Sequence, residues 1–142
     1  MMTTFAEGEI VGSQLMPVSR PVVAIVDDDP TILKSLSRLL KASGYEPHVF
    51  DSAEAFLDGL ETRTASCVIL DVHLPGISGI ELRRRMAAAG SKLPVIFMTA
   101  VDDEAIHGEA IEAGGVGLLC KPFSARSLIA AIGKVTGFET AR

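Results

Sequence analysis

Residues 22–28 read VVAIVDD, an apolar run that ends on two carboxylates, Asp27 and Asp28. Three later runs have the same form: CVIL (67–70) precedes Asp71, VIFM (95–98) precedes Thr99, and GLLC (117–120) precedes Lys121. Continuous apolar runs of this length predict strands buried on both faces, as in parallel sheets covered by helices. Ligands bind beyond the carboxyl ends of such strands, so we expect these polar side chains to meet at one edge.

Helical patterns alternate with the strands from residue 22 onward. A helix is predicted from Pro30 to a left-handed stop at Gly44, followed by a short strand over residues 46–50. Further helices are predicted from Asp51 or Ser52 through Leu60, from a capping box of Ser78 and Glu81, between Asp102 and Gly114, and between Ser124 and Gly137. Five β-α units with right-handed crossovers predict an α/β fold with a doubly wound parallel sheet.

The composition of the chain indicates a single domain that neither binds nucleic acid directly nor spans a membrane. The 142 residues, 48% of them hydrophobic, suit one domain, and a net charge of -5 argues against direct binding of nucleic acid. Cys67 and Cys120 lie in predicted strands without metal-ligand spacing, which indicates buried reduced thiols. We find no signal peptide and no membrane span, so we expect a cytoplasmic protein without membrane contact. Residues 1–20 show no apolar period, and we expect a mobile N-terminal tail there.

The polar residues at the strand ends fit phosphoryl transfer. Carboxylates within about 4 to 6 Å of one another repel by roughly 1 kcal/mol or more per pair, and a divalent cation removes that cost. A cluster of oxygen ligands suits Mg²⁺, which Asp27 and Asp28 would hold. Asp71 can then act as the nucleophile and form an acyl phosphate. Lys121 would add a positive charge and Thr99 a hydrogen-bond donor for the transferred group.

Four motifs resemble the signatures of the response-regulator receiver domain of two-component signalling. They are VDDDP (26–30), ILDV (69–72) with LPGISG (74–79), FMTA (97–100) and KPF (121–123). The resemblance implies a flavodoxin-like fold with a five-stranded parallel sheet in the order 2-1-3-4-5 and five helices. It divides the chain into an N-terminal tail (1–20), a receiver domain (21–137) and a C-terminal end (138–142).

The resemblance also implies a function. Asp71 would accept phosphate from the phosphohistidine of a sensor histidine kinase or histidine phosphotransfer protein in a phosphorelay. Mg²⁺ would be bound by Asp27, Asp28, Asp71 and the backbone carbonyl of His73. Phosphorylation would switch the surface of the fourth helix, fifth strand and fifth helix, and a homodimer is a further expectation. The chain would not be an enzyme and would only assist its own phosphorylation and dephosphorylation. The peptide bond between Lys121 and Pro122 is expected to be cis.

The sequence departs from the family pattern near the fifth strand. Leu118 stands where the family usually carries Tyr or Phe, whose ring moves inward together with the Thr. Leucine has neither ring nor hydroxyl, so the usual relay through Thr99 is in question. Gly115 and Gly117 are expected to raise backbone freedom at the start of the strand. Gly108 would weaken the fourth helix, unless it makes room for a neighbour.

Several alternatives stay open. A small Mg²⁺ phosphatase with an aspartyl nucleophile is one, although many such enzymes need Asp-x-Asp and the residue two after Asp71 is His73. A receiver-like docking protein that is never phosphorylated is another, which Leu118 permits. Asp29 is expected to cap the first helix, and residues 83–85, three arginines, to form a solvated helix face. The five residues after Gly137 are too few for an output domain, which suits a stand-alone receiver or a piece of a longer regulator.

Overall fold

Strands and helices alternate through the part of the chain that the computed structural model describes, residues 20–59, 64–100 and 104–137. The strands are β1 (Val22–Val26), β2 (Glu46–Phe50), β3 (Ala65–Asp71), β4 (Val95–Thr99) and β5 (Gly117–Cys120). The helices are α1 (Pro30–Ala42), α2 (Ala53–Asp58), α3 (Gly79–Ala88), α4 (Glu104–Glu112) and α5 (Ala125–Thr136). All strand pairs are parallel, in the order β2-β1-β3-β4-β5, which confirms the predicted topology. The expected tail, apart from Arg20, and residues 138–142 lie outside the described residues.

The sheet has a hydrophobic core on each face, because successive strand residues point to opposite sides. On one face α1 and α5 cover the sheet, with Leu40 and Ile132 packed beside Ile96 of β4. On the other face α2, α3 and α4 cover it, and Phe97 is the residue that β4 contributes there. Full burial of a side chain of this size contributes about 1.5–3 kcal/mol, so these two layers fix the sheet between the helices.

The prediction of complete burial is wrong for β5. This strand lies at the edge of the sheet and is only half-buried, and its last residue, Cys120, is exposed. Cys67 lies in β3 near the middle of the sheet and is buried as predicted, and burial raises the pKa of its thiol to about 12. The two thiols therefore differ in environment because of strand order, which the apolar pattern of β5 does not reveal.

Polar side chains begin the helices as the sequence predicts. The Asp29 carboxylate accepts a hydrogen bond of 2.9 Å from the Thr31 backbone N–H, at the start of α1. Ser52, rather than Asp51, caps α2, and Ser78 accepts from the Glu81 N–H at the start of α3. The end of α2 lies at Asp58, and the predicted end at Leu60 lies outside the described residues. Caps of this kind each contribute about 1 kcal/mol.

The turn between α4 and β5 is closely packed. A Cβ on Gly115 would lie 2.6 Å from a ring carbon of Phe97, so this glycine permits the approach of the turn to the core. Gly114 has a φ of 98°, which favours glycine, and the Arg83 guanidinium lies against it. A Cβ on Gly108, in contrast, would meet no described atom within 4 Å, so the described structure gives no support to a space-making role for that residue.

The three arginines of α3 do not share one environment. Arg83 is half-buried, with its Nε and Nη1 atoms shielded from solvent, so the prediction of a solvated face is wrong for this residue. Arg84 and Arg85 are exposed as predicted, and Arg85 forms a 3.2 Å ion pair with Glu81 one turn earlier. The difference follows from helix geometry, because Arg83 faces the α4–β5 turn. None of the helices in the described ranges has the length and apolar character that a bilayer-spanning segment needs.

Candidate functional site

The carboxyl ends of four neighbouring strands bring the predicted polar residues together. Asp71 and Thr99 end β3 and β4, while Asp27 and Lys121 directly follow β1 and β5. Backbone hydrogen bonds hold these ends in place, including 2.7 Å from the Lys121 N–H to the Thr99 carbonyl. The Asp27 N–H likewise donates to the Phe50 carbonyl over 3.1 Å. The sheet therefore fixes the backbone from which each of these side chains projects.

Lys121 bridges two carboxylates at this edge. Its Nζ donates to Asp27 Oδ2 over 2.9 Å and to Asp71 Oδ2 over 3.4 Å. Burial by itself lowers the pKa of the Lys121 ammonium, but the bond to Asp27 and the negative charges of Asp71 and Asp27 outweigh it and leave that pKa raised. The peptide bond that follows, Lys121–Pro122, is cis as the family resemblance implies.

Asp27 and Asp71 are both removed from solvent. Asp27 is fully buried, and its Oδ1 accepts a 2.8 Å hydrogen bond from the Asp29 N–H. Asp71 is 5% exposed, and its Oδ1 accepts from the His73 N–H over 3.1 Å. Burial raises the pKa of the Asp71 carboxyl more than the hydrogen bond from the His73 N–H lowers it. The charge of Asp27 raises this pKa further and Lys121 lowers it, and the balance leaves it raised. The ionised form of Asp71 is thus under-compensated by its surroundings.

The acidic residues bring together oxygen atoms that suit a cation. Asp27, Asp28 and Asp71 each offer a carboxylate oxygen, and these oxygens lie within 4.8 Å of one another. Two of the residues are buried, whereas Asp28 is exposed, so the cluster opens to solvent on one side. The carboxylate oxygens are close enough for their charges to repel, and among the described residues the Lys121 ammonium pairs with two of the three carboxylates, those of Asp27 and Asp71. Hard oxygen ligands with surplus negative charge and an open side fit a divalent cation that keeps some of its waters.

Thr99 and Leu118 lie on the side of the sheet that α4 covers. Thr99 is fully buried and follows Phe97 by two residues, which puts both side chains on the same face. Leu118 is half-buried, pairs in register with Phe97 and packs against the same core cluster. Leu118 is thus an aliphatic residue beside the strand that carries Thr99, at the position where the family resemblance implies Tyr or Phe.

Gly79 is a residue of the site that the sequence reasoning missed. A Cβ there would overlap the backbone carbonyl oxygen of Asp71 and come within 3.0 Å of Val72 Cα. The Gly79 N–H donates to the Val72 carbonyl over 2.9 Å, so the first residue of α3 lies directly against the backbone that carries Asp71. The signal was available in the LPGISG motif (74–79), whose last glycine begins the helix. The His73 side chain, in contrast, is exposed, as suits a residue expected to act through its backbone.

Comparison with known proteins gives one consistent result. A family model described as "Response regulator receiver domain" matches residues 23–133. The response regulator protein TmoT of Ectopseudomonas mendocina is 37% identical over 122 residues, 86% of this chain and 56% of that protein. The transcriptional regulatory protein FixJ of Bradyrhizobium diazoefficiens is 41% identical over 110 residues, 78% of this chain and 54% of that protein. The chain therefore spans little more than half the length of these relatives.

Solved structures agree with the sequence relatives. A BeF3-activated DrrB receiver domain superposes with a TM-score of 0.77 at 31% identity, covering 84% of this chain and all of that one. The response regulator StyR superposes with the same TM-score at 35% identity, covering 84% of this chain and 60% of its own. Each likeness therefore extends over most of this chain.

We predict that Asp71→Asn stabilises the metal-free protein at about pH 7. Because the folded-state pKa of Asp71 is raised, the ionised Asp71 carboxylate destabilises the folded protein at every pH above that pKa. This destabilisation decreases as the pH falls through the folded-state pKa. It is absent below the ordinary pKa of an aspartate, near 3.9. Urea unfolding in the presence of a chelator should show the variant more stable by more than the roughly 0.5 kcal/mol typical of surface changes. The gain should vanish near pH 3.

Asp51→Asn provides the control, because Asp51 is exposed and lies outside the cluster. Its effect should be small at both pH values. An Asp71→Asn protein that is equally or less stable than wild type at pH 7 would show that Lys121 and the His73 N–H fully compensate the buried charge.

Proposed function

This chain belongs to the response regulator receiver domain family, and we propose that Asp71 is its phosphoacceptor. The observation that carries the proposal is the position of the Asp71 carboxylate, nearly buried, 3.4 Å from the Lys121 ammonium and beside Asp27. The His73 N–H holds one of its oxygens, which restricts the rotation of the carboxylate. An oriented carboxylate next to a fixed cation is what attack on a phosphoryl group requires.

We propose Mg²⁺ as the cation of the acidic cluster. Asp27, Asp28 and Asp71 would hold it, together with the backbone carbonyl of His73, and their oxygen chemistry supports this choice. When bound, Mg²⁺ neutralises charge on the carboxylates and on phosphoryl oxygens. This role would balance a cluster in which Lys121 is the cation that the described residues bring against Asp27 and Asp71.

The protein's own residues would divide the phosphoryl-transfer step among them. An Asp71 carboxylate oxygen attacks phosphorus while the bond from phosphorus to the donor's imidazole nitrogen breaks, which leaves an aspartyl phosphate and a neutral histidine after proton uptake. Lys121 Nζ, already held by Asp27, is placed to pair with a phosphoryl oxygen. The Thr99 hydroxyl, at the end of the neighbouring strand, would donate to a second phosphoryl oxygen.

A sensor histidine kinase or a histidine phosphotransfer protein in a phosphorelay is the donor we propose, in the cytoplasm. The chain would act catalytically only on its own phosphorylation and dephosphorylation, with no direct contact to nucleic acid. The phosphatase alternative is not favoured, because the chain belongs to a family of signalling domains and has His73 where an Asp-x-Asp enzyme carries its acid. A docking role without phosphorylation would leave the conjunction of Asp27, Asp71 and Lys121 without a purpose.

The surface of α4, β5 and α5 is the output we propose. Thr99 and Leu118 both lie on the side that α4 covers, so a contact between Thr99 and a phosphoryl group can bias the packing of α4. Ile111 of α4 and Val116 beside β5 are 70% and 55% exposed, which gives this surface an apolar patch for a partner or a second copy. A homodimer formed on phosphorylation is part of the proposal.

The phosphoacceptor is tested with acetyl phosphate and intact-mass measurement. Wild-type protein with MgCl₂ should gain one phosphate mass, and a chelator should abolish the gain, because the carboxylates would then repel the donor. Asp71→Asn should show no adduct. Asp51→Asn, an exposed residue outside the cluster, should behave as wild type. An adduct of undiminished yield on the Asp71→Asn protein would place the phosphate elsewhere.

The switch is tested by restoring an aromatic residue. Leu118→Phe should change the self-association of the phosphorylated protein more than its rate of phosphorylation, since Leu118 packs in the apolar cluster beneath α4. Leu57→Phe provides a matched control at an exposed leucine of α2. Sedimentation velocity and acetyl-phosphate kinetics measure the two effects. Equal fold-changes in both quantities would argue against a switching role for position 118.

A further inference from the structure

A cysteine and a histidine meet beside the functional site. Cys120 Sγ lies 3.7 Å from His107 Nε2, a distance within the range of hydrogen bonds to sulfur. His107 belongs to α4 and Cys120 ends β5, so this contact joins two elements of the proposed output surface. The Cys120 side chain is exposed and the imidazole is half-buried. The mechanism proposed above uses neither residue.

The pairing matters because a thiol reacts through its thiolate. An adjacent imidazole can take the thiol proton near neutral pH, which is the arrangement that activates nucleophilic cysteines. We propose that Cys120 is a modification site which, with His107 as its base, forms mixed disulfides with low-molecular-weight disulfides, and that the adduct loosens α4 from β5.

The low-molecular-weight disulfide supplies the oxidant for the reaction. His107 accepts the thiol proton, and the Cys120 thiolate attacks one sulfur of the disulfide. A new sulfur–sulfur bond forms to Cys120 while the original one breaks, and the leaving thiolate takes the proton from His107. Cys120 is oxidised and the departing sulfur is reduced. The chain contains only one other cysteine, Cys67, which is buried in β3, so the chain offers no second exposed thiol to resolve the mixed disulfide.

The consequence for α4 follows from the position of the sulfur. Cys120 pairs in register with Thr99, and neighbouring strand residues in register point to the same face. That face is the one on which α4 packs, as the contact with His107 shows. A group attached to Cys120 Sγ must share the space around the sulfur with the imidazole, which lies 3.7 Å away. We expect the adduct to break the contact between Cys120 and His107 and so to weaken the packing of α4 against β5.

The first test compares rates of mixed-disulfide formation. The folded protein is treated with glutathione disulfide near pH 7, and the adduct is followed by intact mass. His107→Gln should react about tenfold more slowly. This decrease is smaller than that usual for the loss of a general base in an enzyme, because the pair is open to solvent. Cys120→Ser, which retains Cys67, should form no adduct. His48→Gln, on β2 at the opposite edge of the sheet, provides the matched control and should react as wild type.

Denatured samples separate the effect of the contact from any other effect of the substitution. In concentrated urea the wild-type and His107→Gln proteins should react at equal rates, since the two residues are then apart. Equal rates in the folded state, or an undiminished adduct on Cys120→Ser, would overturn the assignment. Neither rate measurement involves phosphorylation. Their outcome therefore tests the role of Cys120 and His107 separately from the role of Asp71.

Hydrogen exchange tests the effect on the helix. Amides of α4 should exchange several-fold faster in the mixed disulfide than in the reduced protein, and reduction with dithiothreitol should restore the original rates. Amides of α1, on the other side of the sheet, provide the internal reference. Unchanged exchange in α4 would refute the proposed coupling between Cys120 and the helix.

Discussion

The rest of the site depends on the contact between the Lys121 ammonium and the carboxylates of Asp27 and Asp71. These residues are 94 and 50 positions from Lys121 in sequence, so the contact exists only when the parallel sheet has formed. Strand order puts β1, β3, β4 and β5 side by side, and their carboxyl ends then hold three carboxylates near one ammonium. The surplus negative charge follows directly from the fold.

The surplus negative charge lowers the stability of the fold at Asp71, although the function proposed for this residue requires that charge. Burial disfavours the charged carboxylate, yet only the charged form can bind a cation or attack phosphorus. Gly79 adds a steric constraint, because α3 can begin against the Asp71 carbonyl only without a side chain at that position. The apolar layers on both faces of the sheet stabilise the domain enough to maintain this unfavourable edge.

Strand-end chemistry could be predicted from the sequence, because apolar runs and the residues that follow them are local features. Asp29 as a cap and the left-handed φ of 94° at Gly44 were predicted for the same reason. The exposure of Cys120 and the burial of Arg83 could not be, since both depend on which strand lies at the edge and which helix faces which turn. Gly115 was expected to raise the backbone freedom before β5. The structure shows instead that a side chain there would clash with the ring of Phe97, so close packing requires glycine at this position.

Calorimetric titration with Mg²⁺ tests most directly whether the acidic cluster is a functional site. The wild-type domain should bind one ion, and Asp27→Asn and Asp28→Asn should each weaken binding by at least about tenfold. Asp29→Asn is the sharpest control, because Asp29 adjoins both residues in sequence while its carboxylate caps α1, a role that asparagine can fill. It should bind Mg²⁺ as wild type does. Equal weakening by all three substitutions, or no binding by the wild-type domain, would contradict a metal site built from Asp27, Asp28 and Asp71.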